Sequence, residues 1–218
     1  MPLRGMTMSL ADSYFATATG LLARAREKNA PVLKALGPVI GRSIAAGGVL
    51  HTFGSGHSEM IAREIIGRAG GLMPVTGMID PGYGFSENVV GYGTRLAERY
   101  HHNYGLKAGE SIIVISNSGK NASPIEVALA AKKHGLTVIA LTSLAMSTTA
   151  KTVHPGGQNL HAIADHTLDN LGVTGDAVTE VAPGMFAGPT STLVGTTLLN
   201  LLVLEVVDWL KAGGHPLH

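Results

Sequence analysis

The sequence predicts an α/β fold built on a parallel sheet with helices on both faces, and three observations carry that prediction. The runs SIIVIS (111–116) and LTVIALTS (136–143) are apolar almost throughout instead of alternating, as strands buried on both faces are. Strand-like runs, including the shorter VLHTFG (49–54), alternate with segments whose apolar residues recur at helical spacing. Two of the strand-to-helix passages, Gly54 to Ser58 and Ser116 to Asn121, are rich in glycine and serine.

Taken in order, Leu10, Phe15, Leu21 and Leu22 predict an amphipathic helix over 9–26 with Ser9 as its N-cap. A second helix is expected from Asn29-Ala30-Pro31, with the proline in its first turn, to Ala46, where Gly47-Gly48 stops it. Residues 9–46 therefore read as a helical pair. After VLHTFG and its turn, a helix is expected over 58–68, closed by Ala69-Gly70-Gly71. LMPVTG (72–77) is a weaker strand, and the glycine-rich stretch 80–93 reads as a functional loop before helical pattern returns over 94–104. Following SIIVIS, Ser123-Pro124-Ile125-Glu126 reads as a capping box that starts the next helix. ADHTLDN (164–170) is a further short strand, and 188–210 is a long apolar helix that must be buried on most of its circumference. With no repeat and no linker, the chain reads as one domain over 1–218.

Composition narrows the partners. Hydrophobic residues make up 45% of the chain and charged residues 14%, more apolar surface than a monomer needs, which predicts a homodimer or homotetramer. A net charge of +1 without a lysine or arginine run leaves no field for nucleic acid. The absence of cysteine excludes disulfides and thiolate zinc sites and fits a reducing, cytoplasmic location. The N-terminal segment lacks the apolar core of a signal peptide, and the run Leu193 to Leu204 is too short to span a bilayer, so no membrane partner is expected.

Both turns fall beyond the carboxyl ends of predicted strands, where open parallel sheets bind ligands. Gly54 to Ser58 directs N–H groups and the hydroxyls of Ser55 and Ser58 toward one spot at the positive end of a helix, an arrangement suited to phosphate. It is not a dinucleotide fingerprint, because Glu59 stands where the third glycine would be and would repel a pyrophosphate. Ser116 to Asn121 in turn lacks the upstream glycine and the following hydroxyl of a nucleotide P-loop. No cofactor is expected. One such turn is ordinary turn chemistry, whereas two at equivalent places in one sheet favour a shared anion site.

With FGSGHS after a strand, VISNSGKNASPIEVALAAKKHGLTVIALTS, and the later ADHTLDNLGVTGDA, the chain resembles the SIS (sugar isomerase) domain family over nearly its whole length. The resemblance implies a flavodoxin-like, three-layer α/β/α sandwich that binds a small-molecule sugar phosphate. By motif it implies phosphate ligands at Ser58, Ser116 and Ser118; Asn121 stands where the family commonly has threonine, with Ser123 nearby. Ser55 and Asn117, in the same turns, complete the expected phosphate set.

Aldose-ketose isomerisation needs a base that moves a proton between C1 and C2 and a group that opens the ring. Glu64, in REIIGR, resembles the E-x-x-G-R segment that holds the base of phosphoheptose isomerases, and Glu87, in GFSEN, resembles the S-E segment of several SIS isomerases. His57, inside the first turn, is the expected partner for sugar hydroxyls or the ring oxygen. The last helix lacks the histidine of phosphoheptose isomerases. An etherase or lyase acting on a phosphorylated amino sugar and a non-catalytic phosphosugar sensor stand as alternatives. His101 and His102 are adjacent on a helix and point about 100° apart, so no metal site is expected.

Overall fold

The apolar runs form strands buried from end to end, because helices cover them on both sides. In a computed structural model that describes residues 8–217, the central sheet contains β1 (Leu50–Gly54), β2 (Val75–Met78), β3 (Ser111–Ile115), β4 (Thr137–Thr142) and β5 (His166–Asp169). They are all parallel, in the order β2-β1-β3-β4-β5. This is the flavodoxin-like order, and the winding reverses between β1 and β3. Leu50 pairs with Ser111 and Gly54 with Ile115, so the two strands end level and their following turns start side by side.

Alternate residues of each strand feed two separate cores. On one face Ile113, Ile115, Ile139 and Leu141 pack with α1 (Leu10–Ala45), α2 (His57–Arg63) and α7 (Ser191–Ala212). On the other face Ile112, Val114, Val138 and Ala140 pack with α3 (Tyr92–Tyr104) and α4 (Ala122–Lys133). Two single-turn helices, α5 (Leu144–Ser147) and α6 (Leu160–Ile163), lie between β4 and β5. An antiparallel hairpin, β6 (Thr179–Ala182) and β7 (Met185–Ala187), precedes α7.

Several expectations change. The N-terminal helical pair is a single helix, α1, capped at Ser9 as expected and containing Pro31 and Pro38. Each proline removes one backbone donor, but the stripe Ala25, Leu33, Leu36 and Ile40 continues past them and is buried, so packing overrides the local break. α2 ends at Arg63 rather than 68, because Ile65 turns into the core and Gly67 adopts φ 54°. The capping box does not form: α4 begins at Ala122, and Glu126 accepts instead from the N–H groups of Gly91 (2.5 Å) and Thr94 (3.0 Å) at the start of α3. The hairpin is not among the elements expected from the sequence, although Pro183-Gly184, with Gly184 at φ 73°, is a turn signal. By length and composition α7 reaches what a membrane crossing needs, contrary to the shorter run expected; here its residues Leu198, Leu199, Leu202 and Val206 are buried in the core. The expectation for the extreme N-terminus concerns in part residues 1–7, which lie outside the described residues.

Close helix packing fixes α7 against α1. A Cβ placed on Gly37 would lie 2.8 Å from the carbonyl oxygen of Glu205, and one on Gly41 would lie 2.3 Å from the Trp209 ring. At the outer strand, the buried Asn29 of α1 donates to the carbonyl of Asp169 (2.8 Å) and accepts from its N–H (2.8 Å).

Candidate functional site

The first turn is shaped by glycines that leave no room for side chains. A Cβ on Gly54 would sit 2.3 Å from the Ser58 carbonyl, and Gly56, at φ 58°, is the N-cap position of α2. Ser55 donates its hydroxyl proton to Asp80 (2.7 Å), so that proton is committed inside the protein. Asp80, fully buried, also accepts from Gly82 N–H (2.8 Å), Gly84 N–H (3.0 Å) and the Tyr92 hydroxyl (2.7 Å). Burial alone would raise its carboxyl, but these four donors hold it below the ordinary carboxylate value. Asp80 thus ties the first turn to the loop 80–91. Gly84 lies so close to Gly56 that a Cβ on it would be 2.8 Å from the Gly56 backbone.

The second turn lies level with the first because β1 and β3 end together. Ser116 is buried, and its hydroxyl accepts from Gly119 N–H (3.2 Å), with Gly119 at φ 64°. The turn is held from beneath: Ser143 N–H reaches the Asn117 carbonyl (2.9 Å), Leu160 N–H that of Gly119 (2.8 Å) and Val153 N–H that of Lys120 (2.9 Å). Asn117 Oδ1 accepts from Asn170 (2.9 Å). No acceptor for the N–H groups of Ser118, Lys120 and Asn121 is found among the described residues, and all three precede α4. Such free donors at a helix N-terminus carry partial positive charge.

Both turns open onto one cleft of about 560 Å³, lined by Ser55, His57, Ser58, Ser116, Asn117, Ser118 and Asn121. Glu87 reaches the same cleft. Burial pushes its carboxyl above the ordinary value, aided by the charge of Asp80 and opposed by the Asn121 amide and Lys120. The Glu87 carbonyl accepts from Ser123 N–H (2.8 Å), so the loop and the start of α4 are joined. No group of three or more potential metal ligands clusters among the described residues.

The SIS domain profile matches residues 13–143 of the chain. A UPF0309 protein of Brucella ovis is 35% identical, the alignment covering 95% of this chain and 87% of the relative. The chain belongs to the SIS domain family. Among solved structures, a phosphoheptose isomerase from Francisella tularensis superposes with a TM-score of 0.61 at 13% identity, covering 91% of this chain and 96% of that one. The Vibrio vulnificus NanR protein complexed with ManNAc-6P gives 0.57 at 16% identity, covering 94% of this chain and 64% of that one. At such identities these two share the fold.

Two of the expected residues of this SIS domain stand outside the cleft. Glu64 follows α2 and is ion-paired with Arg68, while Asn200 of α7 donates to it at 3.2 Å. Glu64 keeps helical backbone angles, and its side chain meets α7 apart from the residues that line the cleft. Ser123 is fully buried, and its hydroxyl has no partner among the described residues. It therefore neither caps α4 nor lines the cleft. Sequence reasoning missed Tyr83, Asp176, Ser191 and Thr192, which do line it. Asp176 fell within the stretch that carried the family resemblance, but a lone acid in a polar loop gives no signal of its own. His101, not expected to bind metal, stacks on His134 with ring centroids 4.0 Å apart and accepts from Leu106 N–H at 3.0 Å.

Proposed function

We propose that this SIS domain binds a sugar phosphate in the cleft and interconverts its aldose and ketose forms. The observation that carries the reading is the convergence of two serine-rich turns, with free N–H groups at the N-terminus of α4, on a cleft that also holds a half-buried carboxylate. In this reading the hydroxyls of Ser58, Ser116 and Ser118, the N–H groups of the second turn and the Asn121 amide hold the phosphate. Ser55 serves as a tie to Asp80. Glu87, not Glu64, is the base: its raised carboxyl sits nearer the range in which a carboxylate both accepts and returns a proton. It removes the proton from C2 of the open-chain aldose while the C1 carbonyl oxygen takes the electron pair; the enediolate passes the C2 hydroxyl proton to O1, and as the carbonyl re-forms at C2 the first proton returns to C1. His57 gives a proton to the ring oxygen as the C1–O bond breaks, and the anomeric hydroxyl releases its proton to solvent, so that the sugar opens to its carbonyl form.

The test is solvent deuterium exchange into C1 or C2 over a panel of sugar phosphates. Wild type is expected to exchange, and Glu87→Gln to lose about 100-fold or more of that rate. A second reading, a phosphosugar sensor, draws on the likeness to the NanR protein complexed with ManNAc-6P. Binding without exchange on any sugar, and without release of a leaving group, would establish the sensor and remove the isomerase.

We also propose that the chain works in the cytoplasm as a homodimer or homotetramer. Cysteine-free composition supports the compartment, and the exposure of Phe15 (74%), Leu204 (58%) and Phe186 (54%) supports association. A monodisperse monomer in light scattering would count against the assembly.

A further inference from the structure

Another part of the cleft wall is built like the phosphate turn, yet it is already occupied. Ser191 and Thr192, at the start of α7, line the cleft together with Asp176. Asp176 Oδ1 accepts from the N–H groups of Thr190 (3.2 Å) and Ser191 (3.0 Å), and Oδ2 accepts from the Ser191 hydroxyl. Backbone N–H groups at a helix start plus a serine hydroxyl are the donor types of the 116–121 turn. α7 runs for 22 residues, long enough for its end to attract a full negative charge. Thr190, in the N-cap position, supplies no cap of its own, and its Oγ1 is buried without a partner among the described residues. Asp176 arrives with φ 50°, in the left-handed region that side chains other than glycine enter at a cost. The loop thus holds a strained residue to set a carboxylate among anion donors on the cleft wall.

We propose that Asp176 stands in for a second phosphate, so that the cleft selects sugar monophosphates, with the phosphate at 116–121 and the hydroxyl end toward α7. This rests on the phosphate reading above. A carboxylate offers about four acceptor positions; Asp176 fills three, and the fourth is free for a substrate hydroxyl. Simple helix capping is the competing account, and it predicts lost stability with no change in anion stoichiometry.

The experiment counts inorganic phosphate bound per chain by isothermal titration. Wild type is expected to bind one, lost in Ser116→Ala. Asp176→Gly relaxes the left-handed backbone while vacating the socket, so it is expected to bind two, the second surviving Ser116→Ala. In the same variant the affinity for fructose 1,6-bisphosphate relative to fructose 6-phosphate should rise at least tenfold. Asp176→Asn, which still fills the socket, should bind one.

The outcomes separate the two readings. If wild type binds none and Asp176→Gly binds one that is indifferent to Ser116→Ala, the phosphate turn is misread while the role of Asp176 stands. A folded Asp176→Gly that binds no more than wild type overturns the proposal, as do two phosphates in Asp176→Asn. Should Asp176→Gly fail to fold, Asp176→Ser repeats the test with a residual cap. Failure of both to fold assigns Asp176 to capping alone and overturns the proposal too.

Discussion

Replacing Gly119 by alanine tests the shape of the second turn directly. The added Cβ would lie 2.3 Å from Ser147 Oγ and 3.1 Å from Ser147 Cβ. Ser147 cannot easily retreat: it is fully buried, its N–H is bonded to the Ser143 carbonyl (2.8 Å) and its hydroxyl to His161 Nδ1 (2.8 Å). Holding alanine at φ 64° costs about 1–2 kcal/mol, and the less flexible unfolded chain returns about 0.4–1 kcal/mol. The overlap adds about 1–3 kcal/mol. The net loss is roughly 3 kcal/mol, which for a chain of this size lowers Tm by about 6–12 °C. Gly47→Ala is the control, since Gly47 adopts φ 82° with nothing among the described residues within 4 Å of its Cβ position. It should lose only about 1 kcal/mol. Urea unfolding followed through the single tryptophan, Trp209, measures both. Equal losses in the two variants would refute the contact between the turn and Ser147.

Gly37→Ala should destabilise the protein although alanine favours helices by about 1 kcal/mol, because the Cβ meets the Glu205 backbone 2.8 Å away and overpacking costs about 1–3 kcal/mol; a rise in Tm would reject the close approach of α1 and α7. Glu87→Gln should raise Tm at pH 7 and leave it unchanged near pH 4. The folded carboxyl is raised, so its protonated form contributes stability at low pH that is lost as pH rises through the folded value. Thermal melts at the two pH values check the sign. Glu126→Ala should cost about 1–2 kcal/mol by leaving the N–H groups of Gly91 and Thr94 without their acceptor, and hydrogen exchange at those two amides should rise.

The strands were legible because a run such as Ile112 to Ile115 has no polar face to hide, and burial on both sides admits few alternatives. The paired turns were legible for a different reason: either one alone is ordinary turn chemistry, but two that follow neighbouring parallel strands open onto one cleft. Partners chosen across the fold were not legible. Glu126 sits in perfect register for a local capping box, yet it serves α3, because two helix starts meet there and a carboxylate can satisfy only nearby donors. Asp176 and Glu64 show the same limit from opposite sides. A loop brings the first into the cleft, while the second finds its partners in Arg68 and in Asn200 of α7, a helix far along the chain.

The contact between Asn29 and Asp169 has a consequence for how the protein avoids its own kind. β5 is an outer strand, and an unpaired strand edge is a template on which another chain can lay itself. The amide of Asn29 mimics one peptide unit and takes up both groups of Asp169, with Lys28 adding an ion pair at 3.0 Å. A false sixth strand, one residue long and carried on a helix, thus blocks that place on the edge. Asn29→Leu would keep the volume and lose the imitation, so its effect should be greatest in crowded solution, as fibrous self-association, and smallest in a dilute melt.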